Sequence, residues 1–438
     1  MRSIRLAFRN CRSSPFVLFL ALALSACAPG LQRVNSPEDA GLSAPPLKEL
    51  SDSLRARVDN GEIPGAVVLV ARDGKIAWVD AIGYQDREAK TPMAPDSIFQ
   101  IASMTKPITA LAVMMLVEEG KLKLDDPLPR YLPEFRNVMV GVETPDAAGK
   151  PQLTLEKPRR EIMIRDLLRH TSGLTYFWSG KSLVRERYAA AKLYDPALNT
   201  AEFVSKISKL PLQSHPGTTW DYGHSYEVLA RVVEVIVGMD FDRFVADRIT
   251  KPLGMHDTDY WVAPAKLSRV AEPQVNSTTG KRPAMPNLAK RPNMIRGGGG
   301  LTSTANDYAR FCQFLLNGGT LDGVRLVSRE TIDAMRSDQL PPGTLVAQSG
   351  PGWGDTLPKA ENGQGYGFGF VVRTSAGTTN IPGAIGDYYW NGAFSTEFLV
   401  SPKNQLFAIQ LLQMQVPNPI QFELRRIWRE DVYKAIRQ

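Results

Sequence analysis

The stretch Ile98-Phe-Gln-Ile-Ala-Ser103-Met-Thr-Lys106-Pro-Ile-Thr-Ala110 decides how this chain is read. Ser103 and Lys106 stand three residues apart, and on a helix positions three apart share a face, so the amine can approach the hydroxyl. A serine alcohol is a weak nucleophile until a base takes its proton. A lysine can be that base only when burial or a nearby cation lowers its pKa. Ile108, Leu111, Ala112 and Met115 predict a core-facing helix from Ser103 to Glu119, stopped by Gly120. Pro107 is tolerated because it falls in the first turn. A helix N-terminus at Ser103 also offers backbone N–H groups to a developing oxyanion. Taken alone, the same spacing fits an N-capping serine beside a surface lysine.

Before this stretch, a helix is predicted from Pro46 to about Asn60. Two strands follow, Ala66–Ala71 and Lys75–Val79, joined by Asp73-Gly74, a strong hairpin signal. After it, helices are predicted over Ile164–Arg169 and Ser225–Ile236, the second ending at Gly238. Thr304-Ala-Asn-Asp307 reads as a capping box for a helix that closes at Asn317-Gly-Gly319. Strands return over Gly367–Val372, Thr396–Val400 and Leu406–Leu412, with Asn404 in the last turn, and a final helix runs from about Pro419 to Ile436. Strands at both ends with helices between predict an α/β (α+β) fold. Its antiparallel sheet, built from both termini, would be flanked by helices, with an all-α lobe inserted at about 122–290.

The N-terminus reads as an export signal. Arg2, Arg5, Arg9 and Arg12 precede the apolar run Phe16–Leu24, which is shorter than the ~20 residues a membrane-spanning helix needs. No adjacent arginine pair precedes it, which fits the general secretory route. Residues 28–45 lack periodicity and are expected to form a flexible tether to a domain spanning 46–438. Four of the formal +7 charges lie in the signal, and the other basic residues are interspersed with acids, so a nucleic-acid footprint is excluded. Of three cysteines, Cys11 lies in the signal and Cys312 in an apolar helical stretch, which reads as a buried apolar residue. His170, His215, His224 and His256 show no metal-ligand spacing, so neither a metal nor another cofactor is expected.

Several segments together resemble the serine β-lactamase-like family. They are Ile98–Ala110, Glu118–Pro127, Arg165-Asp-Leu-Leu-Arg-His-Thr-Ser-Gly-Leu174, Gly299–Thr304 and Gly365-Tyr-Gly-Phe-Gly369. The resemblance runs in order from about Leu47 to the C-terminus. The family includes class C β-lactamases, D-Ala-D-Ala carboxypeptidases and the family VIII esterases. It implies Ser103 as nucleophile, Lys106 as its partner and Tyr222, in Trp220-Asp-Tyr222, as a proton shuttle. It also implies that Trp390-Asn391-Gly392 occupies the strand where lactamases carry Lys-Thr-Gly. The backbone N–H of Ala393 would then join that of Ser103 in an oxyanion hole. Leu24-Ser-Ala-Cys27 resembles a lipobox, which implies lipidation of Cys27 and a periplasmic protein anchored to the outer membrane.

Two departures turn the expectation toward esters. His224 stands where the family often has an asparagine that helps hold a lactam amide, and is a candidate for the pocket rim. Trp390 stands where a lysine would pair with an anionic substrate. The expected function is a carboxylesterase on short to medium acyl esters. The alternatives are a β-lactamase or D-Ala-D-Ala carboxypeptidase, acyl transfer, or a lipoprotein that binds cell-wall peptides or lactams without turnover. Ser225, in a near match to G-x-S-x-G broken by Glu227, is read as the cap of the following helix. Gly297–Gly300 has no lysine after it and is read as permitting close backbone approach.

Overall fold

A computed structural model describes residues 31–437 apart from 276–278, 348–355, 380 and 415–417. The signal segment and Cys27 lie outside the described residues. Among those described, no helix is long and apolar enough to cross a membrane.

Among the described residues, the main sheet has nine strands: β1 (Gln32–Arg33), β2 (Gly65–Arg72), β3 (Lys75–Asp86), β4 (Thr91–Pro92), β5 (Gln364–Tyr366), β6 (Val371–Arg373), β7 (Tyr388–Gly392), β8 (Thr396–Ser401) and β9 (Leu406–Leu411). Their order is β1-β3-β2-β9-β8-β7-β6-β5, with β4 added beside β3. All pairings are antiparallel except β1 with β3. The β2–β3 hairpin turns at Asp73 and Gly74, whose φ values of 53° and 74° match the right-handed twist of the strands. The β2–β9 pairing joins the N- and C-terminal parts of the chain into one sheet.

Strand alternation places helices on both faces. On β8, the Phe398 ring lies 5.0 Å from Tyr308 of α4 (Ala305–Leu316). Its neighbour Glu397 points the other way and accepts from Arg425 Nε, at 3.1 Å, of α5 (Asn418–Lys434). On the same face as α5 lies α1 (Ala44–Asp59), against β2 and β3. The capping box is realised in part, since Thr304 Oγ1 accepts from the Asp307 N–H at 3.1 Å. Cys312 is buried in α4, and burial raises its thiol pKa.

Three expectations are corrected. Residues 31–45 are not a tether. Gln32–Arg33 pairs with β3, Pro37–Ala40 forms a 3-10 turn, and Ser43 N–H donates to Ala435 O at 2.7 Å. Short elements leave no periodicity to read, although Ala40 and Leu42 are buried. Second, the expected strand Gly367–Val372 is a tight hairpin between β5 and β6. It turns at Gly369, where φ is 95° and an added Cβ would meet Pro107 Cα at 3.1 Å. Third, the inserted lobe is not all-α. It contains the helices Leu183–Ala190, Thr200–Ile207 and α3 (Ser225–Val237), but also the hairpin Val140–Pro145/Pro151–Glu156.

Because Leu42 is fully buried, Leu42→Ala is expected to destabilise the mature domain by about 2–5 kcal/mol. Chemical denaturation measures this directly, and a tether residue would show no change.

Candidate active site

Ser103 sits in a 3-10 turn, Ala102–Met104, that feeds α2 (Thr105–Glu118). The helix thus starts two residues later than expected. Ala102 has φ 44°, a left-handed conformation that costs energy for a residue with a Cβ and persists only where its surroundings fix it. Three hydrogen bonds do so here. Ile101 N–H donates to Leu301 O at 3.1 Å, Tyr308 Oη to Met104 O at 2.9 Å, and Thr396 Oγ1 to Ile101 O at 3.2 Å.

Lys106 is fully buried one turn on. Its Nζ lies 3.2 Å from Ser103 Oγ and donates to Gly298 O at 2.6 Å. Burial brings its pKa down to about 7; the Glu227 carboxylate opposes this and the Arg296 guanidinium adds to it. The glycine run makes the contact possible. An added Cβ on Gly297 would lie 2.4 Å from Tyr226 O, and one on Gly298 2.4 Å from Glu227 Oε1. Thr109 Oγ1 donates to Gly297 O at 2.7 Å, locking the loop to α2. The expected role of Gly297–Gly300 is therefore met.

Tyr222 comes from the turn before α3. Its hydroxyl donates to Ser103 Oγ at 2.7 Å, and its ring lies 4.6 Å from Lys106 Nζ. Burial pushes the phenol pKa well up, so Tyr222 keeps its proton at neutral pH. The turn is held on both sides. Asp221 N–H donates to His170 O, and the buried Asp221 carboxylate pairs with Arg185 at 3.0 Å. Gly223 packs so close to Leu174 that an added Cβ would lie 2.1 Å from its carbonyl oxygen.

The third element arrives on β7. Trp390 is buried, with its ring 5.4 Å from Tyr222 and 5.5 Å from Tyr366. Asn391 is half-buried, and Gly392 presses on the nucleophile turn, where an added Cβ would lie 2.4 Å from Ile101 O. Ala393, the next residue, is exposed.

Two expectations fail here. His224 is not at a rim. It is fully buried, 4.4 Å from the Tyr176 ring and 5.4 Å from Phe203, and burial holds it neutral, with Arg296 and Lys106 adding to the effect. Ser225 does not cap α3; His224 occupies the cap position, and Ser225 Oγ meets Ser172 Oγ at 2.9 Å inside the lobe.

Sequence reasoning missed four neighbours. Tyr176 and Trp178 stack at 4.8 Å above Tyr222, and Trp178 is 52% exposed, so the mouth of the site is aromatic. Glu227 is a buried carboxylate whose charge acts on Lys106. Arg296 brings a cation to the same place. Glu227 was legible only as the residue that spoils a lipase motif, and Arg296 only as the residue before a glycine run.

Residues 50–432 match the family described as Beta-lactamase. The chain belongs to the β-lactamase family. An uncharacterized protein of Mycobacterium tuberculosis is 35% identical over 369 residues, covering 82% of this chain and 88% of the relative. Esterase EstB of Burkholderia gladioli is 31% identical over 379 residues, covering 80% and 87%. Among solved structures, EstCE1, described as a hydrolase with promiscuous acyltransferase activity, superposes with a TM-score of 0.69 at 25% identity, covering 89% of this chain and 98% of that one. The family is one of β-lactamase-fold serine hydrolases and acyltransferases, and its members include esterases.

The electrostatics set a pH profile. A base must be unprotonated to act, so kcat/KM is expected to rise with pH and reach half its maximum near the Lys106 value of about 7. Glu227→Gln removes the charge that favours the ammonium form and is expected to move the midpoint to lower pH. A pH–rate series on the two proteins measures the shift, and an unmoved midpoint would separate Glu227 from Lys106.

Proposed function

We propose that this protein is a carboxylesterase that hydrolyses esters with short to medium acyl groups through an acyl-enzyme on Ser103. The observation that carries the reading is the convergence of Lys106 Nζ and Tyr222 Oη on Ser103 Oγ, at 3.2 and 2.7 Å. Neutral Lys106 takes the serine proton as Oγ attacks the ester carbonyl. The N–H groups of Ser103 and Ala393 donate to the oxyanion. Tyr222 gives its proton to the leaving alkoxide and regains one from Lys106. Water then attacks the acyl group, the same pair moves its proton to Ser103 Oγ, and the acid departs. The scheme needs no cofactor.

The choice of esters over lactams rests on β7 and the mouth. Trp390-Asn391-Gly392 offers no cation to a lactam carboxylate, and the Tyr176–Trp178 stack offers an apolar wall to an acyl chain. Acyl transfer to an alcohol is a second reading, favoured by the activity ascribed to EstCE1. A binder without turnover would retain its acyl group, and mass spectrometry of the acylated protein would reveal it.

Hydrolysis of p-nitrophenyl butyrate and nitrocefin by the mature domain tests the reading. Ester turnover is expected to exceed nitrocefin cleavage and to fall by at least about 1,000-fold in Ser103→Ala. Dominant nitrocefin cleavage would make the protein a lactamase, and ester turnover surviving in the variant would overturn the assignment of Ser103.

We also propose export and lipidation at Cys27, with the mature protein held on the periplasmic side of the outer membrane. The basic start, the apolar run and Leu24-Ser-Ala-Cys27 support this. Palmitate labelling of the full chain is expected, with loss of label in Cys27→Ala; equal labelling of both would refute the anchor.

A further inference from the structure

We propose that Arg296 recognises a carboxylate on the substrate, so that the preferred esters carry an acid group; this rests on the reading of Ser103 as the centre of an ester-binding site. Arg296 opens the glycine run, two residues before the carbonyl that accepts from Lys106 Nζ. Its backbone is therefore fixed to the reaction centre. Its guanidinium lies over the Tyr194 ring, 4.6 Å from the centroid, and that ring lies 5.5 Å from His224.

Among the described residues the guanidinium has no ion-pair partner; its hydrogen bond is to the neutral Tyr194 hydroxyl. Its Nε is buried without a hydrogen-bond partner, and among the described residues no carboxylate pairs with it. Other arginines are treated differently. Arg185 pairs with Asp221, and Arg291 pairs with Asp240 and Asp242. A partly buried cation left unpaired costs stability, so a ligand that completes it gains correspondingly. The planar guanidinium matches a carboxylate through two parallel hydrogen bonds.

The surroundings have room for such a ligand. Arg296 lines a cavity of about 450 Å³ whose apolar walls include Tyr194, Pro196 and Met294. Three other charged residues line it. Arg291 is neutralised by its acids, Lys290 adds a second cation, and Asp195 is the one acid on the wall, its carboxylate accepting the Ala197 N–H at 2.9 Å. The cavity therefore has a net positive wall beside apolar surface, which suits an amphipathic acid. Glu227 acts on Tyr194 and Lys106 as Arg296 does, yet among the described residues it makes no ion pair with Arg296.

Two matched substrate pairs test this. Mono-p-nitrophenyl glutarate against p-nitrophenyl pentanoate places the acid on the acyl side, and 4-butyryloxybenzoate against phenyl butyrate places it on the alcohol side. In at least one pair, wild-type kcat/KM is expected to favour the acid by tenfold or more, chiefly through KM. Arg296→Met is expected to abolish that preference and Arg296→Lys to restore part of it. The quotient within a pair cancels any effect of the substitution on Lys106. Binding is read separately by calorimetry on Ser103→Ala, where adding Arg296→Met is expected to weaken the favoured acidic ester tenfold or more. Quotients and Kd values unmoved by Arg296→Met would overturn the proposal. Ser103-dependent hydrolysis without charge preference would remove this inference alone. Arg296-dependent binding without hydrolysis would instead remove the esterase reading and leave this one standing.

Discussion

A fully buried amine is the constraint around which the site is built. An ammonium group in the interior is costly, and the cost falls when the group gives up its proton. Lys106 is in that position: completely buried, with a pKa near 7. Its one strong backbone partner, Gly298 O, lies where only glycine fits, because side chains of α3 press on the other side of the loop. The lobe, the glycine run and α2 must therefore meet within contact distance for this lysine to exist in its neutral form. A looser assembly would admit water and restore an ordinary, protonated and catalytically idle lysine.

The nucleophile is constrained from the opposite direction. Ala102 is held in a left-handed conformation by Thr396 of β8, by Tyr308 of α4 and by Leu301. Sheet and helices thus share the task of presenting Ser103, while the lobe supplies Tyr222. The reacting hydroxyl sits where these parts join. This accounts for a fold in which the N- and C-terminal strands pair centrally while the chain between them builds the other wall.

How much of this was legible in the sequence follows from how far each signal reaches. Period and capping are local, so the β2–β3 hairpin, α2, α3 and α4 could be read from adjacent residues. Ser103, Lys106 and Tyr222 were legible because they lie in motifs shared with a large family, and the structure brings all three together. The misses have a common cause. His224 was placed at a rim by analogy with a neighbour in the motif, but aromatic residues from distant segments, Tyr176 and Phe203, bury it. Residues 31–43 form elements of two to four residues, too short to show periodicity, and are ordered by pairing with β3 and the C-terminus. Glu227 and Arg296 carry no motif; their meaning depends on folding that brings them to a lysine over 100 residues away.

These two residues also tie recognition to catalysis. Burial sets the low pKa of Lys106, and on top of it Glu227 favours the ammonium form while Arg296 disfavours it, so one buried acid and one cation tune the amine's basicity. A carboxylate seated on Arg296 would cancel part of that cation's field. The Lys106 pKa would then rise, making the amine a stronger base but leaving less of it unprotonated at neutral pH. With a pKa of about 7 the amine already stands near the best compromise between base strength and unprotonated fraction at neutral pH, so a modest rise changes the rate little and a large rise would leave the lysine charged and inactive. Partial exposure of Arg296 keeps the change modest, because solvent screens both charges. The same geometry that lets the guanidinium reach a ligand therefore limits how strongly ligand binding perturbs the base.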